Sequence, residues 1–103
     1  MTEVTEVTGV NGRPGEGRFE VTVGGRTAEL ITVTEGGRML LVHTEVPDEL
    51  AGHGVGGRLV RAALDRAVAQ GLTLVPLCPF ARHWLEEHPE LAGSADIDWS
   101  PMG

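Results

Sequence analysis

Lysine and tyrosine are both missing from this chain of 103 residues, and cysteine occurs once. Without lysine a Walker A phosphate loop is excluded, because that loop needs an amine on the phosphates. All eight basic residues are arginine. One cysteine rules out an internal disulfide and any zinc-finger spacing, and no His/Asp/Glu spacing suggests another metal site. No apolar run reaches the length of a membrane span, and the acidic start Met1–Glu6 lacks the apolar core of a signal peptide. Positive charge is scarce: the formal net charge is −7. That speaks against non-specific nucleic-acid binding, which needs a basic surface. Solubility is the simpler account of the acidity, and attraction of a cationic partner such as an amine is the second. The expectation is a soluble, cytoplasmic, single-domain protein with an ordinary hydrophobic content of 41%.

What is present is organised. Residues 1–16 have no helical period and read as a flexible N-terminal arm, with a short edge strand at Glu3–Val7. Arg18–Val23 alternates through Phe19, Val21 and Val23, Gly24-Gly25 reads as a hairpin turn, and Arg26–Val33 is the partner strand. After Glu35-Gly36-Gly37, Arg38–Val46 is expected to be the longest and central strand. Apolar residues Leu59, Val60, Ala63, Leu64, Ala67 and Val68 repeat at i, i+3, i+4, which predicts a helix over Val55–Gln70 stopped by Gly71. Leu72–Leu77 is a short apolar strand. Cys78 then takes the N-cap position of a second helix that starts at Pro79, runs to about Glu87 and is closed by Pro89. Residues 17–91 form the expected domain and 92–103 a tail. The order β-β-β-α-β-α is an antiparallel meander followed by a right-handed crossover, a mixed-sheet α/β fold.

The densest motif is the glycine loop Ala51-Gly52-His53-Gly54-Val55-Gly56-Gly57-Arg58. Glycines admit close approach of a ligand, and a helix's first turn offers unpaired N–H groups and a positive dipole end to an anion. Gly52, Gly54 and Gly57 formally match a dinucleotide G-x-G-x-x-G. However, Pro47–Ala51 separates the strand from the glycines, and no acid ends the following strand at Val75–Cys78, so the dinucleotide reading fails. His43 and Glu45 share one strand face and could take a proton from a nucleophile; a structural role as surface ion-pair partners is the alternative. Cys78 at a helix N-cap has the setting of an activated thiol, or is an inert buried one. His83, five residues on, lies about 140° around the helix and is a poor partner; His43 is the better placed one. Phe80 and Trp84, at i, i+4, read as core.

Three stretches together resemble the GCN5-related N-acetyltransferases, and in particular a very short subfamily: His43–Pro47, the loop Ala51–Gly56, and Leu74–Phe80 with His88–Glu90. The loop is similar to the family's R/Q-x-x-G-x-G/A signature, except that Ala51 stands at its first position. The resemblance covers roughly Phe19 to Glu90. It implies a reduced acyl-CoA N-acyltransferase fold whose cosubstrate is acetyl-CoA. The pyrophosphate would be held by backbone amides from about His53 to Arg58, within a cofactor-binding set of Val46, His53, Gly54, Val55, Gly56, Gly57 and Arg58. The pantetheine would lie where strand Leu40–Val46 splays from strand Leu72–Leu77. Glu45, with His43, falls where many members carry a base. Cys78 would protonate the leaving thiolate or carry the acetyl group, since the usual tyrosine acid is missing. Arg58 and Arg61 would reach phosphates or remain solvated helix charges. The acceptor is an unidentified amine, and a monomer or weak homodimer is expected. The chain lacks the helices that usually follow the first strand, so the rival readings are a CoA-binding module without turnover and an interaction domain that keeps only the fold.

Overall fold

Two glycine pairs set the meander. Gly24-Gly25 and Gly36-Gly37 all have positive φ, between 57° and 80°, the backbone that two-residue hairpin turns require. In the computed structural model, which describes residues 3–13 and 15–100, they join β2 (Glu16–Val23), β3 (Arg26–Glu35) and β4 (Arg38–Glu45). The registers Val23↔Arg26 and Glu35↔Arg38 close both hairpins. Ahead of them β1 (Thr5–Thr8) pairs antiparallel with β2. The edge strand is therefore shifted from the expected Glu3–Val7, and part of the first sixteen residues belongs to the sheet. The register explains the shift: Glu6 lies opposite Phe19, on the face that packs the helix, where it meets Arg66 at 2.5 Å.

The chain then crosses over through α1 (Val55–Gln70) to β5 (Thr73–Pro76), parallel to β4. It crosses again through α2 (Pro79–Glu86) and α3 (Pro89–Ala92) to β6 (Asp96–Ile97), parallel to β5. The six strands lie in chain order. Both crossovers step the same way, so right-handed connections put α1, α2 and α3 on one face. On the other face the β2–β4 surface is bare of helices among the described residues, whereas Val75 in β5 is 1% exposed. The core is the layer between. It includes Leu30 and Leu41 from the sheet, Leu59, Val60 and Leu64 from α1, and Leu85 from α2, all at most 1% exposed. Among the described residues no helix is long and apolar enough to cross a membrane, and no cluster of His, Cys, Asp or Glu is placed to hold a metal.

Three sequence expectations are corrected. The longest strand is β3, with ten residues against eight in β4, because Thr32 and Thr34 continue the ladder that their polarity appeared to end. β4 is nonetheless interior, between β3 and β5. Val68 is 47% exposed, since the row Val60, Leu64, Val68 drifts about 40° per step off the buried stripe. Residues 96–97 are a strand within the stretch read as a tail. They are held there by Asp98 N–H to Leu74 O at 2.9 Å and by Thr73 Oγ1 to Asp96 at 3.2 Å. Two residues are too few to show a period. Residues 1–2 and 14 of the expected arm and residues 101–103 of the expected tail lie outside the described residues.

The segment after β6 carries a carboxylate with a marked shift, Asp98. The Ser100 hydroxyl donates to Asp98 at 2.6 Å, the Arg38 guanidinium at 2.8 Å and the Ser100 amide at 3.0 Å. These lower the Asp98 pKa from 3.8 to about 2. A carboxylate depressed in the folded state stabilises it above the unfolded pKa and loses that contribution as pH falls through the folded one. Asp98→Asn is therefore expected to melt below the wild-type temperature at neutral pH. The gap should narrow below pH 3.8 and close near pH 2. Thermal melts of both proteins across that range check it. A constant gap would mean that the charge is irrelevant.

Candidate functional site

Beyond Leu41 two features change β4. Its pairing with β5 stops at Leu41↔Pro76, and the Leu77 and Cys78 amides both donate to the Leu41 carbonyl before the chain turns into α2. On the β3 side the register slips: Ile31 faces His43 while Thr32 faces Leu41. Val42 is thus the extra residue of a β-bulge, and it is 41% exposed. Strict alternation from Met39 and Leu41 would aim His43 and Glu45 into the core. The bulge reverses this. Thr44, opposite buried Leu30, faces the helices. His43 and Glu45, opposite Ile31 and Glu29, face the bare side.

The expected catalytic residues are accordingly split. His43 Nε2 and Glu45 Oε1 are 3.1 Å apart, with side chains 60% and 66% exposed. Cys78 is buried on the other side, and the partner of its Sγ is Thr44 Oγ1 at 3.2 Å, not His43. Nothing in the sequence singled out Thr44, because its orientation depends on a bulge that the sequence does not reveal.

Next comes the glycine loop. A short 3₁₀ turn over Asp48–Leu50 buries Leu50, then Gly52 and Gly54 adopt left-handed φ of 82° and 75°. Gly54 caps α1 with no side chain in the cap. The His53 amide is used within the loop, donating to Leu50 O at 3.3 Å, and the Arg58 amide makes the first helical bond, to Gly54 O at 3.2 Å. Of the expected cradle of amides from His53 to Arg58, Gly54, Val55, Gly56 and Gly57 have N–H groups that precede the first helical bond. The His53 side chain is exposed in the loop.

Gly56 and Gly57 have a second reason to be glycine. A Cβ on Gly56 would lie 2.6 Å from Phe80 Cζ, and one on Gly57 would overlap the Trp84 indole. The start of α2 therefore rests directly on the start of α1. The two rings, expected in the core, instead wall a groove of about 510 Å³ together with Thr44, Val46, Leu50, Val55 and the loop glycines. Its size and largely apolar lining suit a small organic ligand. The available signal was the glycine pair inside an otherwise regular helix. A second, shallower groove of about 370 Å³ holds Arg58 and Arg61, with Arg61 3.5 Å from Asp65. Gly54, Gly57 and Trp84 line both grooves.

Comparison with known proteins agrees with this arrangement. A family model described as GCN5-related N-acetyl-transferase matches residues 18–94. Protein NATD1 of chicken and of mouse is 39% identical over 49 residues, which is 48% of this chain and 44% of each of those proteins. Human protein NATD1 matches at the same identity over 43% of its length. The chain thus spans less than half the length of these curated relatives. The family match takes in the strands β2 to β5, the parted β4 edge, the glycine loop and both groove-lining rings, and the chain belongs to the GCN5-related N-acetyltransferase family.

Proposed function

We propose that the protein binds acetyl-CoA in the groove and transfers the acetyl group to an amine that approaches from the bare face of the sheet. The observation that carries this is the parting of β4 from β5 beside an amide-lined helix start. The parted edge of β4 offers backbone groups to the amides of a pantetheine arm. The α1 first turn offers unpaired N–H groups and a dipole to the pyrophosphate. A thioester lying in the slot is then reachable from both faces: Thr44 and Cys78 on one, His43 and Glu45 on the other.

The chemistry follows from that division. Glu45, hydrogen-bonded to His43, takes the proton from the acceptor ammonium, and the amine nitrogen attacks the thioester carbonyl carbon. A backbone N–H of the bulged β4 segment stabilises the oxyanion. The C–S bond breaks as the carbonyl re-forms, the nitrogen gives its second proton to water, and the CoA sulfur takes up a proton from Cys78, leaving an amide and free CoA. Cys78 is reprotonated and Glu45 deprotonated by solvent before the next turnover.

The direct test is titration of the protein with acetyl-CoA and with CoA, followed by amide NMR. Shifts are expected to cluster at Gly54–Arg58 and around Thr44 and Cys78. No binding at millimolar ligand would sink the reading. Binding without turnover across a panel of amines would leave a CoA-binding module. An acetyl adduct on the intact mass that disappears in Cys78→Ala would replace direct attack by an acyl-enzyme route.

A further inference from the structure

Trp84 is held more firmly than a groove wall requires. Its ring stacks on the His88 imidazole, with centroids 4.0 Å apart and planes 20° from parallel. His88 Nδ1 also donates to the Trp84 carbonyl at 2.7 Å. The other constraint is below, where the indole lies on the bare Cα of Gly57, and Nε1 is the ring atom nearest to where a Cβ would be. An indole N–H is a donor only, and Trp84 is half-buried, with its N–H open to solvent in the grooves. Among the described residues this N–H has no acceptor, and its ring lines both grooves where they meet at Gly54 and Gly57. The donor thus stands beside the Val55, Gly56 and Gly57 amides, at the junction of the apolar groove and the arginine-bearing one.

We infer that Trp84 Nε1 is a side-chain donor to a phosphate oxygen of the acyl donor, and that His88 is a positioning residue for it. The inference rests on the acetyl-CoA reading and adds a residue to it. The junction fits a phosphoryl group that links two unlike parts: an uncharged pantetheine arm in the apolar groove and a nucleotide toward Arg58 and Arg61. No side chain caps α1, so no capping oxygen occupies its first-turn amides, and the indole adds one more donor beside them. The exclusion of lysine gives this weight, because the chain has no ammonium group to offer a phosphate. The phosphate could also come from a 4′-phosphopantetheine that lacks the nucleotide, and both donors share the contact.

The test compares CoA, 4′-phosphopantetheine and pantetheine on wild type, Trp84→Phe, His88→Ala and the double variant. In wild type the Trp84 indole ¹H–¹⁵N resonance, identified by its loss in Trp84→Phe, is expected to move downfield with CoA and with 4′-phosphopantetheine and to stay in place with pantetheine. Trp84→Phe keeps the ring and removes the N–H. It is expected to weaken both phosphate-bearing ligands by roughly tenfold and to leave pantetheine unchanged. Added to Trp84→Phe, His88→Ala should cost little more, because it acts through the same ring. Wild type that binds CoA with an unmoved indole resonance and no loss in Trp84→Phe overturns the Trp84 assignment alone. Equal losses for pantetheine would mean a packing role and overturn it too. Wild type that fails to bind CoA overturns the acetyl-CoA reading as well. The wild-type resonance decides the matter even where a variant folds poorly.

Discussion

Glu45→Gln is expected to lower the rate of acetyl transfer by about 10²–10⁴-fold while leaving acetyl-CoA affinity nearly unchanged. The side chain is 66% exposed on the face away from the groove, so under the proposed function it would meet the acceptor and not the donor. Glutamine keeps the shape and can still hydrogen-bond His43, but it cannot accept a proton. An ammonium acceptor then has to lose its proton to solvent before it can attack. The variant's rate should therefore climb with pH towards the ordinary pKa of the acceptor amine, whereas wild type should level off earlier. Steady-state kinetics against pH, with kcat and KM separated, make the comparison. His43→Gln should cost less, since under the proposed function His43 would only orient the carboxylate through its 3.1 Å contact. A Glu45→Gln enzyme with wild-type kcat would remove the carboxylate from the mechanism and leave water as the base.

The second large effect is on stability. Gly57→Ala introduces a methyl group where the Trp84 indole already lies. Alanine would gain about 1 kcal/mol of helix propensity at an open position. Here it must displace a ring pinned by the His88 stack and hydrogen bond, and such overpacking costs about 1–3 kcal/mol. The cost is expected to win by up to roughly 2 kcal/mol, a fall in melting temperature of about 4–8 °C for each kcal/mol in a domain of this size. Gly56→Ala is the internal control. Its Cβ would meet the far end of Phe80 at 2.6 Å, but that ring is 43% exposed and can swing outwards. It should be nearly neutral or stabilising, with the cost appearing in ligand affinity. Thermal melts of the two variants decide. Equal stability of Gly57→Ala and wild type would show that Trp84 yields easily.

Much of this architecture could be read from the residues. Helix α1 spans Val55–Gln70 as expected, because the apolar stripe and the flanking Gly54 and Gly71 mark both of its ends. The hairpins follow from their glycine pairs, and Cys78 and Pro79 announce the start of α2. The rest needed three dimensions. The bulge at Val42 leaves no mark in Val-His-Thr-Glu, which alternates as well without it, yet it decides which side of the sheet each side chain meets. The Thr44–Cys78 pair joins residues 34 apart in the chain, beyond the reach of any local period. Strand β6 is two residues long, and its place comes from the Leu74, Thr73 and Arg38 contacts rather than from its own propensity. Gly56 and Gly57 were legible as glycines wanted for a phosphate. Their use as bare ground for two aromatic rings was not, because a ring from another helix imposes it.

The placement of α1, α2 and α3 on one side of the sheet has a consequence for traffic under the proposed function. An acyl donor loaded among the helices and an acceptor meeting the carbonyl from behind the sheet would use separate doors. Neither would have to wait for the other to leave, and the amide product and spent CoA would depart in opposite directions. Around His43 and Glu45 no helix of the described residues walls the back door, so a large acceptor would fit there. A side chain on the surface of a folded protein could be presented there as readily as a free small amine.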